Sequence, residues 1–118
     1  MTDESQRIVH RSLLGEAIEG LQGVAVFVWD EHRHYVAVND AACELTGLSR
    51  SELLGMPVGD RTSTAERTIE EASRTPILSG TMSFLRSDGE IVEIEYLTVH
   101  TLIAKLPFMV SICWPTDR

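Results

Sequence analysis

Residues 35–55 read YVAVNDAACELTGLSRSELLG, and the character of the chain changes among them at Asn39. Tyr35 to Val38 are apolar and β-prone, the pattern of a strand. Asp40 to Thr46 is a short helical stretch stopped by Gly47. Ser49 then offers an N-cap, and Glu52 three residues on completes a capping box, so a second short helix starts at once. Leu53, Leu54 and Met56 are its apolar side, and Pro57 ends it. At the seam, Asn39 closes the strand and caps the first helix, its side-chain oxygen accepting from backbone N–H groups. Asp40 then sits in the positive first turn.

Reading outward, Val24 to Trp29 is a continuous apolar run of β-branched and aromatic residues, a strand covered on both faces. With the polar turn Asp30 to His34 and the strand Tyr35 to Val38 it makes a hairpin. Ser5 to Gly20 precedes it as an amphipathic helix, with Ile8, Val9, Leu13, Leu14, Ala17, Ile18 and Leu21 at helical spacing. Downstream, Ser63 to Ser73 reads as a third, more polar helix with Ala65, Ile69 and Ala72 on its buried edge, broken by Pro76. The last third is β: Gly80 to Arg86, a tight Ser87-Asp88-Gly89 turn, a long alternating strand Glu90 to His100, a loop Leu102 to Pro107, and a final strand Phe108 to Trp114. The order predicts an α+β domain with one antiparallel sheet, divided into a flanking helix over 1–20 and a main domain over 21–118.

The bulk properties agree. The chain has 118 residues, 43% of them hydrophobic and 24% charged, enough for one domain with a real core. Its net charge of −8 repels phosphate backbones and anionic lipids, which argues against direct binding to nucleic acid or membranes. No apolar run approaches the roughly 20 residues of a membrane span, and the N-terminus lacks the layout of a secretory signal. Cys43 and Cys113 carry no CxxC spacing and read as buried, reduced thiols, so a cytoplasmic location is expected.

Motifs for chemistry are sparse. The sequence has no Gly-rich phosphate loop, Ser-His-Asp order, HExxH or nucleophile elbow, so no enzymatic activity is expected. His32 and His34 with Asp30 and Glu31 fall short of the roughly four ligands of a closed metal site and sit on a turn that would be polar anyway, so no metal site is expected. Asp30 and Glu31 form no acid–base pair with a remote carboxylate.

The run from Val26 to Gly55, VFVWDEHRHYVAVNDAACELTGLSRSELLG, resembles the signature of PAS domains: apolar strand, Asp, turn, apolar strand, Asn, small residues, Leu, then Gly, Ser, Glu-Leu and Gly. Asp30, Asn39, Ala41, Ala42, Leu45, Gly47, Ser49, Glu52, Leu53, Leu54 and Gly55 fall on matching positions, while Leu48 replaces the usual aromatic. SDGEIVEIEY resembles the family's second hairpin. The likeness covers Gly20 to Trp114 and implies a five-stranded antiparallel sheet with short helices over one face and a hollow between them.

The resemblance also assigns faces. It places Phe27, Trp29, Val36, Val38, Met82, Phe84, Ile94, Tyr96 and Ile112 toward the hollow, closed from the helical side by Leu45, Leu54, Met56 and Ile69. Such a lining suits an apolar or aromatic small molecule held by one or two hydrogen bonds, or a core packed shut. A flavin photoadduct is excluded, because GMPVGDRTST stands where that subclass carries its reactive Cys. Haem is disfavoured, because the helix that would supply its His, Ser63 to Ser73, has none. The implied role is a sensory module of the bacterial two-component kind. It would relay to a histidine kinase, cyclase or transcription regulator; the alternative is a ligand-free dimerisation or interaction module. A homodimer would use Ile8, Val9, Leu13, Leu14 and Ile18 of the flanking helix together with Val26 and Val28 of the outer face. The ending Trp114-Pro115-Thr116-Asp117-Arg118 departs from the family's Asp-Ile-Thr-x-Arg, and so puts the usual helical relay in question.

Overall fold

A computed structural model describes residues 24–63, 70–71 and 74–116. The flanking helix with Ile8, Val9, Leu13, Leu14 and Ile18, and the inward edge with Ile69, lie outside the described residues. Five strands form one antiparallel sheet: β1 (Ala25–Asp30), β2 (Tyr35–Val38), β3 (Ile77–Leu85), β4 (Ile91–Ile103) and β5 (Leu106–Pro115), in spatial order β2-β1-β5-β4-β3. Two short helices, α1 (Asp40–Thr46) and α2 (Arg50–Leu53), follow β2. Ala42, Leu48 and Leu53 pack with Phe27, Trp29, Phe84 and Ile94 into one core on that face of the sheet. Glu70, Glu71 and Arg74 are helical, and the Thr75 N–H closes on the Glu71 carbonyl just before Pro76.

The seam at Asn39 is tied more tightly than capping alone requires. Its side-chain oxygen accepts from the Ala42 N–H at 3.0 Å and from the Val26 N–H at 3.0 Å, while its amide donates to the Val24 carbonyl at 2.9 Å. One fully buried side chain thus stitches the helix start to the beginning of β1. Gly47 takes a φ of 72° to end α1, a conformation that glycine adopts without steric cost. The capping box at Ser49 is complete, and the backbone N–H of Ser49 holds the Glu52 carboxyl below its usual pKa. That cap sets the rotation of α2, so Leu53 is fully buried. Leu54 at its end is 41% exposed, not closing the hollow as its sequence position suggested.

Two registers correct the assignment of faces. In the first hairpin Phe27 pairs with Val38 and Val28 with Ala37, but Trp29 pairs with Tyr35, so Val36 is bulged. The bulge turns Tyr35 onto the helical face, and Val36 packs on the opposite side with Val26, Val28, Ala37 and Phe108. In the last hairpin, Leu102 to Pro107 is not a loop. Ala104 and Lys105, at φ 49° and 70°, form a two-residue turn that pairs Ile103 with Leu106. That register sets Tyr96 opposite Cys113, so Cys113 faces the helices while Ile112, opposite Leu97 and Val26, faces away. Val26 and Val28 do lie on the outer face, buried there at 1% and 0% exposure.

The segment after α2 crosses from one edge of the sheet to the other. On the β2 side, Tyr35 N–H donates to the Met56 carbonyl, Gly55 N–H to the Tyr35 carbonyl and Val58 N–H to the Arg33 carbonyl. On the β3 side, Leu85 N–H donates to the Arg61 carbonyl and Ser63 N–H to the Ser83 carbonyl, and the Arg61 guanidinium reaches the Leu85 and Arg86 carbonyls at 2.8 Å each. Residues 55–63 are therefore a strap pinned at both edges, which also covers backbone groups an open edge would leave unpaired.

Candidate functional site

Under this strap lies a cavity of about 50 Å³. Phe27, Trp29 and Tyr35 come to it from the first hairpin, Val58 and Thr62 from the strap, Leu78, Met82 and Phe84 from β3, Ile94, Tyr96 and Thr98 from β4, and Ser111 and Cys113 from β5. Of the residues expected from sequence, Phe27, Trp29, Met82, Phe84, Ile94 and Tyr96 are among these. Val38, Leu45 and Met56 belong to the surrounding core without bordering the space. Val36, Ile112 and Leu54 stand elsewhere, as described above. Sequence reasoning missed Tyr35 and Cys113 through the two registers, and Val58 and Thr62 because a loop carries no periodicity that marks an inward face.

The polar groups are few and uncharged. Trp29 Nε1 donates to Ser111 Oγ at 3.2 Å, and Ser111 Oγ shares a hydrogen bond with Thr98 Oγ1 at 2.8 Å. The Trp29 indole N–H is thus already engaged within the protein. Tyr96 lies across from Gly80 on the neighbouring strand, where an added Cβ would come within 2.9 Å of the phenol oxygen; glycine at 80 gives the ring room. Burial raises the pKa of Tyr96, with the Glu71 carboxylate and Cys113 adding to it. Burial also pushes the Cys113 thiol up to about 12. Tyr35 is raised as well, first by burial and then by Cys113 and Asp60. These groups are neutral near pH 7 in a poorly hydrated space.

Asp30 has a structural role: its side chain accepts from the N–H groups of His32 at 3.0 Å and His34 at 3.1 Å, shaping the turn. Glu93 and Glu95 are engaged on the outer face, with Ser83 at 2.6 Å and the Trp114 indole at 2.7 Å. Among the described residues, no group of three or more His, Cys, Asp or Glu side chains is placed to hold a metal ion. No helix among them is long and apolar enough to cross a membrane. A haem or a flavin does not fit a space of about 50 Å³.

A sequence model of the PAS fold matches residues 13–105. No curated protein matches the chain. Among solved structures, it is similar to a PAS domain from a two-component sensor histidine kinase, with 19% identity and a TM-score of 0.70 over 98% of this chain and 100% of that one. It is likewise similar to the PAS domain of an HTR-like protein from Haloarcula marismortui, with 16% identity and a TM-score of 0.74 over 95% and 97% of the two chains. A third is the PAS domain, in complex with ethanol, of a LuxR-family transcriptional regulator from Burkholderia thailandensis, with 15% identity and a TM-score of 0.70 over 87% and 97%.

Proposed function

The chain belongs to the PAS-fold family, and from that premise we propose that it is a sensory module whose cavity takes up a small, mostly apolar molecule. The observation that carries this reading is the cavity itself: a space of about 50 Å³, lined among the described residues by uncharged side chains, under a strap tied to both sheet edges. Occupancy presses on Val58 and Thr62, and the strap passes that load to β2 and β3. The output is a histidine kinase, cyclase or transcription regulator, reached through a homodimer or partner contact of the outer face and flanking helix, in the cytoplasm. The proposal assigns the chain no catalytic step.

A bound water occupies roughly 10–15 Å³ of such a cavity, so about three to five non-hydrogen atoms fit. At no more than about 1.5 kcal/mol per atom, a four-atom ligand gains at most about 6 kcal/mol, a dissociation constant no tighter than tens of micromolar. Titration of the 15N-labelled chain with 2-propanol to millimolar concentrations tests this. Saturable amide shifts clustered on the cavity strands and the strap are expected. Shifts that are absent, or that rise linearly everywhere, would overturn the reading.

A second reading, a ligand-free interaction module, is favoured by one observation. The same space is well below the roughly 300–1,000 Å³ of pockets that hold drug-sized molecules, as a core packed nearly shut would be.

A further inference from the structure

Tyr35 is 7% exposed and borders the cavity, yet its hydroxyl has no hydrogen-bond partner among the described residues. A buried phenol without a partner is uncommon, because its lost hydration goes unreplaced. The other hydroxyls leave the same imbalance. Ser111 accepts from Trp29 and shares a single bond with Thr98, so two hydroxyl protons serve one contact and one is left over. Tyr96 has no hydrogen-bond partner for its hydroxyl among the described residues either, though its ring is only half-buried. The cavity is therefore bordered by hydroxyl groups whose hydrogen-bonding capacity is not used up within the protein.

We infer that Tyr35 is the anchoring residue of the cavity, and that its ligand is a neutral molecule of about three to five non-hydrogen atoms whose oxygen accepts from the Tyr35 hydroxyl. A short ketone, amide or alcohol meets this description. A phenol hydroxyl donates more strongly than it accepts, so the partner it calls for is an acceptor, and the size comes from the volume. Neutrality follows from the lining, which among the described residues carries no charged side chain to pair with an ionised ligand. The inference rests on the cavity being a binding site, as proposed above, and adds the atom that recognises the ligand.

The test compares the full 118-residue chain with Tyr35→Phe, which removes only the hydroxyl, using acetone, acetamide and acetate as probes and xenon as an apolar filler of the same space. The parent is expected to bind acetone and acetamide and to reject acetate at pH 7. Tyr35→Phe is expected to bind acetone roughly three- to tenfold more weakly, the effect of one lost hydrogen bond, and to bind xenon as the parent does. It is also expected to melt no lower than the parent, because the hydroxyl it lacks has no protein partner among the described residues. If Tyr35→Phe binds acetone as tightly as the parent, or melts well below it, the anchoring role is overturned while the cavity reading stands. If neither protein binds acetone, acetamide or xenon, both fall together.

Discussion

Replacing Asn39 by Ala removes three hydrogen bonds at once, those to the Ala42 N–H, the Val26 N–H and the Val24 carbonyl. The site is fully buried, so water does not replace them. Each bond contributes about 1 kcal/mol net, and each stranded buried group costs about 1–3 kcal/mol. The lost cap alone costs about 0.5–2 kcal/mol. Relaxation of the helix end recovers part of this, so the expected loss is about 3–5 kcal/mol. That is a large share of the roughly 5–15 kcal/mol available to a domain. Asn39→Asp keeps both accepted bonds but turns a carboxylate oxygen toward the Val24 carbonyl, and about 1–2 kcal/mol is expected. Urea unfolding measures both. With a slope of about 2 kcal/mol per molar, the Asn39→Ala midpoint should fall by about 1.5–2.5 M. A loss under about 1 kcal/mol for Asn39→Ala would refute the stitching role.

Trp29→Ala is expected to cost about 3–5 kcal/mol, because the ring is 3% exposed and its indole holds Ser111; near-neutral stability in urea would mean that the ring borders open space instead of packing. Ala104→Asn with Lys105→Gly supplies the residues that suit a two-residue turn with both φ positive, and should stabilise by about 1–2 kcal/mol; a lower melting temperature would contradict the turn. Cys113 ionises near 9.0 in the unfolded chain and at about 12 in the folded one, so its contribution is complete below pH 9 and is lost as pH rises toward 12. Tyr35, raised from 10.0, acts in the same direction. Melting temperatures should therefore drop above pH 9, and less steeply in Cys113→Ala; identical slopes would show that the thiol is not shielded.

What was legible in the sequence was local. Asn39, Ser49, Glu52 and Gly47 act on backbone three or four residues away, so their caps appear where the residue types place them. The alternation of β3 and β4 was equally readable, and with the inward face chosen by the family resemblance it set Met82, Phe84, Ile94 and Tyr96 together, where the structure has them at the cavity. Where a face depended on a register set elsewhere, local reading failed. Reading Leu102 to Pro107 as a loop left the parity of β5 unset, which exchanged Ile112 for Cys113. The bulge at Val36 did the same for Tyr35, because strict alternation has no place for an extra residue. Leu53 and Leu54 differ by one position on a four-residue helix, and only the cap geometry separates them. The strap was invisible because its order comes from hydrogen bonds to both edges of a sheet whose strands are far apart in the chain.

The most direct test of the cavity as a binding site is a crystal of the chain under xenon pressure. A single xenon peak in contact with Phe27, Tyr35, Ile94 and Cys113 is the expected result. A map with no peak there, in a crystal whose other apolar sites take up the gas, would contradict it and leave a core packed shut.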